Sequence, residues 1–519
     1  MSFLLSKNFL LTTLSGLLLW IAFPGGGGLW PLVFVALVPL FFVIRDSSLK
    51  NCLLGGLTCG LVHYLSLLYW VVIVLGKYGG MPWFISLQGL VLLALYMSFY
   101  LIAFSVIART FISDLPLWLA AWLLPALWVG IDWGRGLFLT GLPWMDIGYS
   151  LYEVPYLIQI ADLGGHHAVS FMIVLANTVL FYLLATPPTM KRVIVLAPSA
   201  LVLGIVIFYS TSRYTEIKEV VISEASSKIT VGVVQGNIKQ ELKWSSELQE
   251  KTVLTYTNMT KSLLGQNAPQ FTVWPETALP FYPPSSNLMG SLFDFVQVND
   301  TSVLTGAPWY EIVDRETRKI KFYNSAVLLG SDGKYHGKYY KTHLVPFGEY
   351  VPFKKFLPFL APLVEAVGDF TPGKIERPLE QGGVKVGVLI CFESVFPDLS
   401  RQWVEAGANI LVNLTNDAWY GKSSAPIQSL AMTVFRAVET RRSVVRSANT
   451  GISAFITPLG EITSKSDIFV PWAAKEELTL HDEKTVWVRY GHNFAPFCLG
   501  FAGVGLLIAG LWRRREGLD

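Results

Sequence analysis

Long apolar runs fill the N-terminal part of the chain, and one more run lies near the C-terminus. Several of them are shorter than the roughly 20 residues that a helix needs to cross a bilayer comfortably, so their ends are approximate. Together they predict an α-helical transmembrane bundle of about eight spans. The predicted spans are residues 9–23, 30–44, 52–75, 82–107, 115–129, 169–185, 193–209 and 494–512.

The polar stretch before the last run has a different pattern, in which short β-branched segments alternate with turns and helical spacings. Apolar strands that helices cover on one face predict an α/β domain. We therefore divide the chain into N-terminal spans (1–211), a polar domain (212–491) and a C-terminal span with a basic tail (492–519). The predicted strands are 229–235, 270–274, 302–305, 324–329, 384–390, 410–414 and 453–456, and a helix is predicted at 424–442.

Basic residues occupy alternate short loops between the predicted spans. If Lys7 is cytoplasmic, these loops all lie on the cytoplasmic side, as the positive-inside rule requires. The opposite short loops hold little beyond Lys77 and Arg135. The asymmetry predicts that the polar domain lies outside the cytoplasm. The basic residues on the cytoplasmic side are Lys7, Arg45, Lys50, Arg109, Lys191, Arg192, Arg513, Arg514 and Arg515.

The composition agrees with a membrane protein and argues against one class of partner. Of the 519 residues, 52% are hydrophobic and only 15% are charged, and the mean hydropathy is +0.47. Part of such a chain must face lipid. The net charge of +3 is small, and no basic stretch is interleaved with aromatic residues, so nucleic acid is a poor partner.

One cysteine differs in its surroundings from the other three. Cys52, Cys59 and Cys498 fall in apolar runs, whereas Cys391 follows the predicted strand 384–390 directly. A strand-to-helix elbow can hold a nucleophile beside the N–H groups of the next turn. A free cysteine is more often a small buried apolar residue, so this position decides nothing by itself. A domain with one thiol also cannot form an internal disulfide in an oxidising compartment.

Two other residues of the polar domain, each interpreted as standing at a strand exit, have chemically useful side chains. Glu276 follows the strand at 270–274, and Lys341 precedes the elbow at Cys391. Each has an ordinary alternative, because Glu276 could be a turn residue and Lys341 a surface charge. As a set, the three predict a base (Glu276), an electrophile that stabilises an oxyanion (Lys341) and a nucleophile (Cys391).

The order of these three residues, with Trp274-Pro275-Glu276 and Cys391-Phe392-Glu393, resembles the nitrilase superfamily. Further motifs and the predicted span layout resemble the apolipoprotein N-acyltransferase family within it. One departure is Phe392, where many relatives have Tyr, which leaves open any role of that hydroxyl. The motifs that carry the second resemblance are Gln235 to Ile238, Leu344 to Pro352, Asn413 to Trp419 and Ser447 to Gly451.

The resemblance implies an extracytoplasmic α-β-β-α sandwich with a Glu-Lys-Cys triad, on the periplasmic side of a bacterial inner membrane. It implies transfer of an acyl chain from a phospholipid to the α-amino group of the diacylglyceryl-cysteine of a lipoprotein precursor. Glu349 and Glu393 would orient the lysine and the elbow, and Trp244 would border the acyl pocket. We also assign substrate contacts to Asn413 and Trp419, and we expect no cofactor and no metal site.

The segment 351–364 is an apolar run broken by proline and interrupted by basic residues. It is too short and broken to span a bilayer, so we interpret it as a lid that dips into the outer leaflet and guides acyl chains to Cys391. Phe353 and Phe359 would carry its contacts with lipid. A subunit interface is the alternative, because exposed apolar patches often mark one.

Two other classes of function use the same features. A membrane-tethered amidase acting on a small amide would use the same triad, but it gives no reason for about eight spans beside the site. A transporter or receptor with an inert nitrilase-like domain would not need Glu276, Lys341 and Cys391 intact.

The orientation can be tested with reporter fusions. Because the basic loops set the direction of the spans, a reporter fused after Lys50 or Arg192 should report a cytoplasmic location. A reporter near Ser331 should report an extracytoplasmic one. A cytoplasmic Ser331 would overturn both the compartment and the lipoprotein substrate.

Overall fold

The computed structural model describes residues 3, 6–224, 226–314, 316–317, 319–350 and 370–516. The chain divides into two units, each with its own core. The first comprises Met1–Glu216, Ser423–Phe435 and Thr485–Asp519, and the second comprises Ile217–Lys422 and Arg436–Lys484.

The described helices follow the apolar runs and add several in the polar domain. A π-helical segment, Val74–Tyr78, continues the fourth helix. In chain order the α-helices are α1 Lys7–Ala22, α2 Val38–Asp46, α3 Leu49–Leu67, α4 Val71–Ile73, α5 Trp83–Asp114, α6 Leu117–Arg135, α7 Ala161–Ala185, α8 Met190–Ile222, α9 Ser246–Lys261, α10 Leu288–Val298, α11 Pro397–Glu405, α12 Ala425–Thr440, α13 Val486–Arg489 and α14 Phe494–Glu516.

Several helices of the first unit are long and apolar enough to cross a membrane. Among the described residues there are five, namely α5, α6, α7, α8 and α14. A sixth results if α3 and the segment Val71–Tyr78, which meet at a 56° bend, form one span. The helix α1 has 16 residues and α2 has nine, both short for a bilayer. The prediction of several apolar helices of spanning length is thus confirmed, and the count of eight spans stays a prediction.

Small residues let two of these helices approach closely. On α3, a Cβ added to Gly60 would lie 2.8 Å from Ser98 Cα, and one added to Gly56 would lie 2.7 Å from Leu101 O. Both contacts are with the backbone of α5, so neither glycine can be enlarged without moving a helix. Glycines four residues apart are the spacing that brings membrane helices together by van der Waals contact.

The second unit contains two six-stranded sheets. The first has the strand order β12-β1-β2-β3-β4-β5 and the second has the order β11-β10-β9-β8-β7-β6. The central strands of each sheet are parallel, and the outer pairs are antiparallel. The strands are β1 Lys228–Gln235, β2 Phe271–Val273, β3 Val303–Asp314, β4 Lys319–Leu329, β5 Tyr335–Tyr340, β6 Leu379–Gln381, β7 Val384–Ile390, β8 Ile410–Thr415, β9 Val444–Ala448, β10 Ala454–Ile456, β11 Ile462–Lys465 and β12 Trp472–Thr479.

The two sheets pack face to face with helices outside them. Ser447 Oγ on β9 donates to main-chain oxygens of β1 and β2, each at 3.3 Å. On the first sheet, Trp274 Nε1 donates to Thr260 Oγ1 of α9 at 2.9 Å. On the second sheet, Trp403 Nε1 of α11 donates to Val388 O at 2.6 Å. This is the α/β domain that the sequence pattern predicts, in the α-β-β-α arrangement that the family resemblance implies.

The turn after β2 lies against the backbone of β3. Gly306 N donates to Pro275 O at 3.2 Å, and Thr277 has a positive φ of 51°. A Cβ added to Gly306 would lie 2.5 Å from Thr277 N and 2.6 Å from Glu276 Cα. The conformation of the turn that carries Glu276 therefore depends on the missing side chain at Gly306.

We expect Gly306→Ala to destabilise the second unit by about 1–3 kcal/mol, because the added methyl group meets backbone atoms that cannot rotate away. Thermal unfolding of the purified protein should show a lower melting temperature. Gly290→Ala is the matched control, since Gly290 lies in α10 with nothing within 4 Å of an added Cβ. Equal melting temperatures for the two variants would contradict the close packing of this turn.

Candidate active site

The three residues predicted to form a triad come together in the second unit. Glu276 lies in the turn after β2, Lys341 follows β5 directly, and Cys391 follows β7. Lys341 Nζ lies 3.9 Å from Glu276 Oε1. The charges of Glu276 and Lys341 both act on the Cys391 thiol. Strand ends that are far apart in the sequence thus place a carboxylate, an ammonium and a thiol in one site.

Cys391 occupies a strained turn. Its φ is +53°, a left-handed value that residues with a Cβ rarely adopt. It begins a short 3-10 helix, Cys391–Val395, immediately after β7. Strain of this kind is typical of functional elbows. As a whole residue Cys391 is partly exposed, whereas Cys52, Cys59 and Cys498 are buried.

The surroundings of Cys391 favour the neutral thiol. Burial, and then the negative charge of Glu276, raise the pKa of the Cys391 thiol to about 12, while Lys341 acts in the opposite direction. The resting thiol is therefore protonated at neutral pH. To act as a nucleophile, it would need a base that removes this proton.

Lys341 is a buried ammonium held between two carboxylates. Its side chain is 1% exposed, and Nζ lies 3.0 Å from Glu349 Oε1 and 2.9 Å from Glu349 Oε2. Burial alone would lower the pKa of Lys341, but the charges of Glu349 and Glu276 outweigh it and raise the pKa above its ordinary value. The lysine is therefore a permanent cation in this site.

Asn324 on β4 joins the two carboxylates. Its Nδ2 donates to Glu276 Oε1 at 2.8 Å and to Glu349 Oε1 at 2.7 Å. The predicted strand 324–329 begins at this residue, but the sequence analysis gave it no role in the site. A polar amide at the start of an otherwise apolar strand was the available signal.

Glu393 holds the elbow and the loop after β5 together. Its Oε2 accepts from Ile390 N at 2.7 Å, and its Oε1 accepts from Thr342 N at 2.7 Å and from His343 N at 3.1 Å. The Tyr339 hydroxyl donates to Oε1 at 2.7 Å. Burial raises the pKa of Glu393 to about 7, against the effect of these N–H donors. Its geometry is that of an orienting residue.

Two of the predicted substrate contacts, Trp244 and Trp419, are exposed at the surface. Trp244 is 53% exposed and lines a surface cleft of about 600 Å³ with Phe281, Tyr282 and Leu288. Trp419 is also exposed. The lid segment 351–364 lies outside the described residues. Its two predicted lipid contacts, Phe353 and Phe359, lie outside them as well.

Asn413 on β8 is fully buried behind the elbow. Its Nδ2 donates to Leu389 O at 2.9 Å and lies 3.5 Å from Cys391 O. The guanidinium of Arg446 donates to its Oδ1 and also pairs with Asp417 at 2.9 Å. These contacts support the backbone of the nucleophile turn rather than exposing Asn413 to a substrate.

A polar cluster in the first unit is also buried. The guanidinium of Arg135 pairs with Asp146 and donates to Tyr64 Oη at 2.6 Å. Asp146 Oδ2 lies 2.8 Å from His166 Nε2. The ligand atoms of Asp146, His166 and His167 lie within 4.8 Å of one another. Asp146 Oδ1 pairs with Arg135 and its Oδ2 contacts His166, so both carboxylate oxygens have side-chain partners.

Comparison with known proteins gives consistent matches for both parts of the chain. Residues 15–179 match the apolipoprotein N-acyltransferase N-terminal domain family, and residues 230–470 match the carbon-nitrogen hydrolase family. Among solved structures, a carbon-nitrogen hydrolase from Helicobacter pylori G27 aligns with 52% of this chain and 94% of its own. Its TM-score is 0.36 and its sequence identity is 17%.

Curated relatives match nearly the whole length. The apolipoprotein N-acyltransferase of Geobacter metallireducens is 37% identical over 98% of this chain and 96% of its own. The apolipoprotein N-acyltransferase of Azotobacter vinelandii is 32% identical over 94% of this chain and 92% of its own. The resemblance seen in the sequence motifs is thereby confirmed, and the chain belongs to the apolipoprotein N-acyltransferase family.

Proposed function

We propose that the protein transfers an acyl chain from a phospholipid, through a thioester on Cys391, to the α-amino group of the diacylglyceryl-cysteine of an apolipoprotein. The observation that carries this proposal is the buried Lys341 ammonium, held by Glu276 and Glu349 beside the strained turn of Cys391. Family membership supplies the substrate class. It also favours N-acylation over the amidase alternative.

In the first half-reaction, Glu276 takes the proton of the Cys391 thiol, and the sulfur attacks the ester carbonyl of the phospholipid. Lys341 and a backbone N–H after Cys391 stabilise the oxyanion. When the intermediate collapses, the C–O bond breaks. The proton on Glu276 passes to the departing oxygen, so a lysophospholipid leaves and a thioester remains.

In the second half-reaction, the neutral α-amine of the lipoprotein attacks the thioester carbonyl. Glu276 takes a proton from the attacking nitrogen, and the C–S bond breaks. The proton then passes to the departing thiolate of Cys391. An amide is released and the thiol is restored. The enzyme therefore works by ping-pong chemistry with one base in both halves, and this scheme uses no cofactor.

The apolar helices supply a reason for this chemistry to occur at a membrane. A donor phospholipid and a diacylglyceryl acceptor both remain in a bilayer, so an enzyme that uses them must meet them there. We place the protein in a bacterial inner membrane with about eight spans, with residues 212–491 on the periplasmic side. The segment 351–364 would admit acyl chains, and the cleft beside Trp244 is a surface that could receive one.

We expect Cys391→Ser to abolish the acyl adduct, because a serine hydroxyl is far less acidic than a thiol and would stay protonated beside Glu276. Intact mass spectrometry of the purified protein should show an added acyl chain on wild type and none on the variant. The adduct should disappear when neutral hydroxylamine cleaves the thioester. An adduct on Cys391→Ser that neutral hydroxylamine still cleaves would place the thioester on another cysteine.

We expect Lys341→Met to slow thioester formation by about 100- to 1000-fold, because the oxyanion loses a preorganised cation. The measurement is the rate at which the adduct forms with phosphatidylethanolamine vesicles. Lys338→Met is the matched control, since Lys338 lies on β5, three residues before Lys341, with a half-exposed side chain paired to Glu311. Normal acylation in Lys341→Met would make the residue structural.

A further inference from the structure

Lys243 is a buried cation beside Glu276 that the mechanism above does not use. It lies between β1 and α9, one residue before Trp244. The residue is 1% exposed, and its Nζ donates to the main-chain oxygen of Glu276 at 3.1 Å. Within the parts of the chain that the structure describes, this oxygen is the one acceptor that its ammonium has.

A buried ammonium is costly unless opposite charge compensates it. Burial lowers the pKa of Lys243 to about 8, and the charge of Glu276 acts in the opposite direction. A neutral amide could satisfy a single carbonyl oxygen equally well and would avoid this cost. The feature that distinguishes a lysine at this position is therefore its positive charge next to Glu276.

The rest of the Glu276 turn is held from other directions. Asn324 binds the carboxylate at 2.8 Å, and the backbone of Gly306 supports the turn through Pro275. The following residue, Thr277, has a positive φ of 51°. Lys243 binds the main-chain oxygen of the glutamate. The same contact brings a positive charge next to the residue.

We propose that Lys243 is a positioning residue for Glu276, whose ammonium fixes the main chain of the glutamate and stabilises its negative charge. The inference rests on the proposed function, in which Glu276 is the base. It predicts that the charge at position 243, and not only the hydrogen bond, sets the rate of Cys391 acylation.

This charge should make acylation depend on pH. Lys243 is cationic at neutral pH and loses its proton as the pH rises through about 8. Glu276 is the charged group that acts on it. In the loop after β8, the neutral amide of Asn416 bonds Gln240 at 2.8 Å, and the carboxylate of Asp417 pairs with Arg446. The stabilisation of the Glu276 carboxylate is therefore complete below about pH 8 and is lost above it.

The test is single-turnover acylation of Cys391 by the full-length protein in phosphatidylethanolamine vesicles, followed by intact mass between about pH 6 and pH 10. Lys243→Met should be about 10- to 100-fold slower at neutral pH and should lack the titration near pH 8. Lys243→Arg should recover much of the rate and also lack that titration, because a guanidinium stays charged. Lys239→Met, at an exposed lysine of the same loop, should match wild type.

A Lys243→Met protein with the wild-type rate and pH profile would overturn the inference. So would a slow variant that keeps the titration near pH 8, because Lys243 would then be structural. If Lys243→Met does not fold, the pH profiles of wild type and Lys243→Arg are compared instead. The same loss of acylation rate above about pH 8 in both proteins would overturn the inference. Two further variants separate this inference from the proposed function. Normal acylation in Glu276→Gln would refute Glu276 as the base, and an acyl adduct on Cys391→Ser that neutral hydroxylamine cleaves would refute the thioester itself.

Discussion

The burial of the Lys341 ammonium is the constraint on which the rest of the site depends. An unpaired charge in this position would cost several kcal/mol, so the fold must bring opposite charge to it. Glu349 supplies both of its carboxylate oxygens within 3.0 Å, and Glu276 lies further away at 3.9 Å. Asn324 then ties the two carboxylates to one strand. The need to compensate this buried cation therefore constrains where the surrounding carboxylates lie.

The nucleophile turn depends on a second buried carboxylate. A cysteine at a φ of +53° persists only if its surroundings hold it there. Glu393 accepts main-chain N–H groups from both sides of the site, Ile390 before the elbow and Thr342 after Lys341. One side chain therefore fixes the thiol relative to the lysine. Asn413 supports the same turn from the neighbouring strand.

The sequence could predict the parts of this site that local patterns carry. Cys391 and Glu276 each follow a run of apolar residues that forms a strand, and β1, β2, β7 and β8 were located within one or two residues. The long apolar runs likewise became helices. These features depend on hydrophobic periodicity over a few turns, which a single sequence displays.

What the sequence could not predict depends on pairing between distant strands. Asn324 lies 48 residues from Glu276 in the chain, and only the register of β3 and β4 brings its amide to the carboxylate. Lys243 reaches the same glutamate from 33 residues away through a loop. The strand β9, which pairs with β8, carries Arg446 and was not predicted, because its polar residues hide the strand pattern. In the mechanism that we propose, proton transfer from Cys391 to Glu276 keeps the net charge of the site constant. It also removes one of the two negative charges that Lys341 faces, so the ammonium becomes available to the oxyanion at the moment the oxyanion forms.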